Sequence, residues 1–105
     1  MKRPKYGNRK IIVDGLRFDS QREAGRWRAL QRLVKSGDIS DLQRQVTFRM
    51  IVNGIRITTY RCDFQYIDNA TGELVVEDAK GMPDRRWPMV KKLMKACHGI
   101  DIKEV

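Results

Sequence analysis

The stretch Val75-Val76-Glu77-Asp78-Ala79-Lys80-Gly81 decides how the rest of the chain is read. Two valines lead into two acids and a lysine, and a glycine closes the run. Valine favours strands, and side chains alternate from face to face along a strand. In a strand expected over 73–80, Asp78 and Lys80 therefore share one face and Glu77 takes the other. Upstream, 55–67 reads as one long strand that contains a second acid, Asp63. The turn between the two lies in Asp68-Asn69-Ala70-Thr71-Gly72. Hairpin register then selects the partner of Asp63. One register sets Asp63 opposite Glu77. A shift of one residue, with Asn69 to Gly72 as the loop, sets it opposite Asp78. The second is preferred, because it groups a lysine with two acids.

Working outward, Val46 to Val52 reads as a further strand. It is joined to the long one by Asn53-Gly54, the strongest short turn signal in the chain. These three strands are expected to form an antiparallel meander. Near the start, Lys10 to Val13 and Leu16 to Phe18 flank Asp14-Gly15, a hairpin signal. Ser20-Gln21-Arg22-Glu23 has the form of a capping box and opens a helix. Ala24, Trp27, Leu30, Leu33 and Val34 form its apolar stripe, and Gly37 within Ser36-Gly37-Asp38 ends it. Beyond Gly81 and Pro83 a second helix is expected to start near Pro88. Met89, Val90, Leu93, Met94 and Cys97 make its apolar face, and Lys91, Lys92 and Lys95 point away. Gly99 stops this helix, His98 beside it reads as a capping or surface residue, and 100–105 can add a last strand. The order is hairpin, helix, three strands, helix, strand. It predicts one α/β (α+β) domain over 1–105, with 1–9 as a basic, mobile arm.

The chain has 105 residues, 41% apolar and 33% charged. That is enough for a single core and too apolar for disorder. No apolar run approaches a membrane span, and the basic N-terminus lacks the apolar stretch of a signal peptide, so a cytoplasmic protein is expected. Cys62 and Cys97 sit in no CxxC or CxxH pair, which argues against zinc and for buried thiols. The net charge is +9. Such an excess favours a polyanionic partner, most often nucleic acid.

Against that background the strand acids stand out. Two carboxylates side by side repel, and a cation between them relieves the repulsion. Mg²⁺ takes one or two carboxylates together with waters and substrate phosphate oxygens. It can polarise a phosphate and lower the pKa of a water, and Lys80 could orient that water or offset developing charge. Glu23 borders the core-facing stripe of the first helix. It reads equally as a third ligand or as the N3 partner of the Ser20 box. The acid-x-Lys pattern is weak by itself, since Asp101-Ile102-Lys103 matches it too.

The whole arrangement resembles the PD-(D/E)XK nuclease superfamily, in which a helix glutamate precedes a strand aspartate and then acid-x-Lys on the next strand. Here those positions are Glu23, Asp63 and Asp78-Ala79-Lys80, with Cys62 where the superfamily often has proline. More narrowly, the chain looks like a family of small phage and prophage proteins. The residues that carry this likeness are Lys5-Tyr6-Gly7-Asn8, Asp14-Gly15, Phe18-Asp19-Ser20, Gln45, Tyr60-x-x-Asp63-Phe64 and Glu77-Asp78-x-Lys80-Gly81. The resemblance implies a restriction-endonuclease-like mixed sheet flanked by helices. It also implies Mg²⁺- or Mn²⁺-dependent DNA cleavage leaving a 5′-phosphate, catalysed by Glu23, Asp63, Asp78 and Lys80 with the three acids as metal ligands. Layouts of this kind occur in phage Holliday-junction resolvases and transposon end-cutting nucleases, which commonly act as homodimers. Gln45 and Glu77 are candidate neighbours of the site, although the preferred register puts Gln45 on the Cys62 face.

For DNA contact the candidates are Lys2, Arg3, Lys5, Arg9 and Lys10 in the arm, and Arg85, Arg86 and Trp87 after the acidic strand. Trp87 reads equally as a base stacker or a core anchor. No base-reading motif appears, so recognition of DNA shape is expected. The competing readings are a non-catalytic DNA-binding protein and a nuclease subunit of a packaging or transposition complex.

Overall fold

Asp14 and Gly15 both adopt positive φ, 52° and 76°, and fold β1 (Ile11–Val13) back onto β2 (Leu16–Phe18). Positive φ at both central residues is what a two-residue hairpin of matching twist requires. The next element, α1 (Gln21–Ser36), is capped by Ser20, whose Oγ accepts from the Glu23 amide at 3.1 Å. It stops at Gly37, held at φ 81°. That left-handed conformation favours glycine. The computed structural model describes residues 10–79 and 85–105.

Six further strands and one helix follow: β3 (Ile39–Arg44), β4 (Thr47–Val52), β5 (Ile55–Arg61), β6 (Phe64–Asp68), β7 (Leu74–Asp78), α2 (Trp87–His98) and β8 (Lys103–Glu104). They form a four-stranded sheet in the order β3-β6-β7-β8 and a separate β4-β5 ribbon. The sheet is mixed: β3-β6 and β6-β7 are antiparallel, and β7-β8 is parallel.

This topology corrects the expected meander. The stretch 55–67 is two strands, not one. The Cys62 amide donates to the Val46 carbonyl at 3.0 Å, whereas the next amide, that of Asp63, donates to the Glu77 carbonyl at 3.1 Å. The chain thus leaves the ribbon and joins the sheet between two consecutive residues. The additional partner of β6 is β3, a segment for which the sequence reading proposed no element. Ile39 and Leu42 both pack toward the α1 core although they are three residues apart. A register shift between Ser40 and Gln43, with Asp41 at φ 54°, spans that spacing. Such an irregularity re-aims side chains that strict alternation would send to opposite faces.

Two cores lie on opposite faces of the sheet. Phe18, Ala24, Trp27, Leu30, Ile39, Phe64 and Tyr66 pack beneath α1. Met50, Tyr60, Cys62, Val76, Trp87, Val90 and Met94 pack beneath α2. An isolated two-stranded ribbon is marginal in water, so the anchoring of Met50 and Tyr60 against α2 is what holds β4-β5 in place. The apolar stripe of α2 falls as its spacing predicts, with Pro88 in the first turn and Gly99, at φ 70°, as the cap.

Candidate functional site

The β6-β7 register pairs Phe64 with Glu77, Gln65 with Val76 and Tyr66 with Val75. Continued by one residue, it sets Asp63 beside Asp78, the register preferred from sequence. Both carboxylates are held by short hydrogen bonds. Asp63 Oδ2 accepts from the Ala79 amide at 2.6 Å, and Asp78 Oδ2 accepts from the Tyr60 hydroxyl at 2.8 Å. Burial and the nearby charge of Asp78 push the Tyr60 hydroxyl far above its ordinary range. It therefore stays protonated and acts as a fixed donor. Cys62, between these groups, is 1% exposed, and burial raises its thiol to about 11. It is a core residue.

Glu23 reaches the site from α1. Its carboxyl takes a backbone hydrogen bond at Asp19, one residue before the cap. Its Oε1 is buried without a hydrogen-bond partner, and Arg44 Nη2 stands 3.9 Å from that oxygen. Burial first, and then the negative charges of Asp63 and Asp19, raise this carboxyl above its ordinary range. A raised folded-state value means that ionised Glu23 opposes the fold. Stability is unaffected below the unfolded value and falls as pH rises from there through the higher folded one. In EDTA, Glu23→Gln is therefore expected to remove this loss and to be more stable than the parent near neutral pH. Urea denaturation across that window checks it. An unchanged pH slope would mean that the fold does not raise the Glu23 carboxyl.

Glu77 belongs elsewhere. Strand alternation turns it to the α1 side, where it is 0% exposed. Arg26 grips it with two hydrogen bonds, Nε to Oε1 at 2.7 Å and Nη2 to Oε2 at 2.6 Å, and the Tyr66 hydroxyl also donates to Oε2. Glu77 adjoins Asp78 along β7, but its carboxylate is turned to the α1 face as a buried ion-pair partner. Trp87 is likewise structural: it is 7% exposed, its Nε1 donates to Glu104 at 2.7 Å, and its ring lies 5.7 Å from that of Tyr60. Of its two readings, base stacker or core anchor, the structure matches the core anchor. Arg85 and Arg86 are exposed where α2 begins, and His98 Nε2 bonds the Arg49 carbonyl at 2.8 Å. Lys10 is exposed and paired with Asp19. Lys80 and the arm residues Lys2, Arg3, Lys5 and Arg9 lie outside the described residues.

Gln45 meets Asp63 through the backbone. Its amide donates to the Asp63 carbonyl at 3.0 Å, and its φ is 54°. Such a positive φ is uncommon for a residue with a side chain. Sequence reasoning assigned no role to Arg44, Arg26 or Tyr66, and none to Tyr60 beyond its place in the family likeness. The three-residue offset between Tyr60 and Asp63 fits no strand period, because the chain changes sheets between them. Arg26 follows Glu23 by three residues on α1, and this shared helix face was the one available signal.

The donor set suits a hard divalent cation. Asp63 and Asp78 supply adjacent carboxylates, and Glu23 adds a buried oxygen with no hydrogen-bond donor. Among the described residues, no group of three or more His, Cys, Asp and Glu side chains is gathered closely enough to hold a metal ion. The structure thus brings Asp63 together with Asp78, and Asp63 together with Glu23, without closing one three-acid cage. For Mg²⁺ one or two carboxylates suffice, since waters and substrate oxygens complete its shell.

Fold and site together define a mixed α+β domain with paired acids at the point where the chain passes from ribbon to sheet. The chain belongs to the family described as Protein of unknown function (DUF1064), whose model matches residues 3–103. No curated protein and no solved structure matches it. No helix among the described residues is long and apolar enough to cross a membrane.

Proposed function

We propose that this chain is a metal-dependent DNA endonuclease of the PD-(D/E)XK type, selective for branched DNA. The observation that carries this reading is the place of Asp63, one residue before β6 and bonded through its carboxylate to the Ala79 amide just past Asp78, in a chain of net charge +9. A mixed sheet with a helix against each face is compatible with a restriction-endonuclease-like core.

Asp63 and Asp78 would hold Mg²⁺ or Mn²⁺, with Glu23 reaching in from α1. The chemistry such an ion supplies is polarisation of a phosphate oxygen and a lower pKa for the attacking water. Tyr60 fixes the orientation of Asp78 through a proton it does not give up. The Ala79 amide does the same for Asp63. Lys80, two residues beyond Asp78 in sequence, is assigned the orientation of the water and the offsetting of charge on the phosphate. Excess positive charge draws the DNA backbone toward acids that would otherwise repel it. Cutting both strands of a junction calls for two copies.

The test is a cleavage panel of linear, flapped, four-way and single-stranded DNA in Mg²⁺, Mn²⁺ or EDTA. Nicking of branched forms in the presence of metal is expected. Tight binding indifferent to EDTA, with no form cut, would make the protein a non-catalytic DNA binder. Cutting that appears only with a partner protein would make it a subunit of packaging or transposition machinery.

A further inference from the structure

We propose that a basic pocket beside the paired acids binds a phosphodiester of the same DNA strand, next to the one that is cut. This rests on the nuclease reading for its role, though not for its existence as a phosphate site. The pocket has a volume of about 390 Å³ and is lined by Lys10, Arg17, Asp19, Arg44, Gln45 and Arg61. Four cations face one acid, and that acid is already paired with Lys10. The remaining guanidinium groups come from β2, β3 and β5, elements that the sequence separates and the fold gathers.

Arg44 is the floor of the pocket. Its guanidinium lies 4.2 Å from the centre of the Phe18 ring and donates to the Arg17 carbonyl at 2.7 Å. Its Nε is buried without a hydrogen-bond partner. A guanidinium presents a fork that matches phosphate oxygens, and Arg17 and Arg61 bring two exposed ones to the same pocket. Two links tie the pocket to the acids: the Gln45 amide bonds the Asp63 carbonyl, and Arg61 precedes Asp63 by two residues. A phosphate seated here is therefore adjacent to the candidate centre along the chain that builds it. The occupant is a polymer backbone and not a lone ion, because the positive surface does not stop at the pocket. From Leu42 to Cys62 the chain carries four arginines and no acid, and Arg49, Arg56 and Arg61 are exposed along the ribbon.

The test measures the affinity of the full chain for labelled four-way and linear DNA in EDTA, over a series of salt concentrations. Arg17→Gln, Arg61→Gln and the double variant are compared with Arg32→Gln, an exposed α1 position away from the pocket. Each pocket variant is expected to weaken binding about tenfold on both DNA forms and to reduce the salt slope by about 1. Arg32→Gln should do neither. Unchanged affinity and slope in the double variant, or an equal effect of Arg32→Gln, overturns the proposal. Inorganic phosphate at matched ionic strength should not raise the melting temperature. A rise that Arg17→Gln abolishes would make this a free-phosphate site and overturn the strand assignment. Cleavage by the parent chain in Mn²⁺ separates the two readings. Lost affinity without any cutting keeps the pocket and rejects the nuclease, and retained affinity with cutting does the reverse.

Discussion

Asp63→Asn and Asp78→Asn are each expected to lower metal-dependent DNA cleavage by on the order of 10³-fold, the loss of several kcal/mol of charge stabilisation at a metal centre. Asparagine has nearly the shape of aspartate and retains a carbonyl oxygen. That oxygen can still accept from the Ala79 amide at position 63, or from the Tyr60 hydroxyl at position 78. The variants should therefore fold normally and lose only the charge. Affinity for DNA in EDTA should hold or rise, since each substitution removes one negative charge facing a polyanion. Asp101→Asn is the matched control. It lies in the same acid-x-Lys pattern, but its side chain is 81% exposed and paired with Lys95. Cleavage assays on the substrates cut by the parent chain decide the matter. Full cutting by either strand variant would remove the pair from the mechanism.

The second large effect is on stability. Arg26→Ala leaves Glu77 charged and buried, with the Tyr66 hydroxyl still donating to it. Breaking a buried ion pair by removing one partner costs about 3–5 kcal/mol, much of the roughly 5–15 kcal/mol typical of a whole domain. Urea denaturation of Arg26→Ala at neutral pH should show that loss. The double variant Arg26→Met/Glu77→Leu should recover most of it, because no charge then remains buried. A loss below about 1 kcal/mol for Arg26→Ala, or no recovery in the double variant, would mean that the pair is uncoupled. Glu77 neighbours Asp78 on β7, so this network also fixes the strand that presents the candidate ligand.

Much of this protein could be read locally. Asp14-Gly15 set the N-terminal turn, Ser20 and Gly37 bounded α1, and Pro88 and Gly99 framed α2. Each works through the backbone of its immediate neighbours, by positive φ, a capping oxygen or a fixed proline angle. Strand parity also separated Asp78 from Glu77, because alternation is a property of one strand. The β6-β7 register followed once a short loop was chosen.

The break at Cys62-Asp63 was hidden. Ile55 to Ile67 is rich in Ile, Thr, Tyr and Phe, and no glycine or proline marks the crossing. The strand changes partner there because β3 occupies one edge of β6, and β3 itself was concealed by the shifted register at Asp41. Strand pairing is a contact between distant segments, so no window of local sequence contains it. For the same reason the fates of Glu77 and Trp87 waited on the fold. Their partners, Arg26 at a separation of 51 residues and Glu104 at 17, come from other elements. By itself, the sequence determined which acids could share a strand face, since covalent geometry fixes the direction of alternating side chains. Only the tertiary structure decided which of them meet, because that depends on which strands pair and which helix packs above each face.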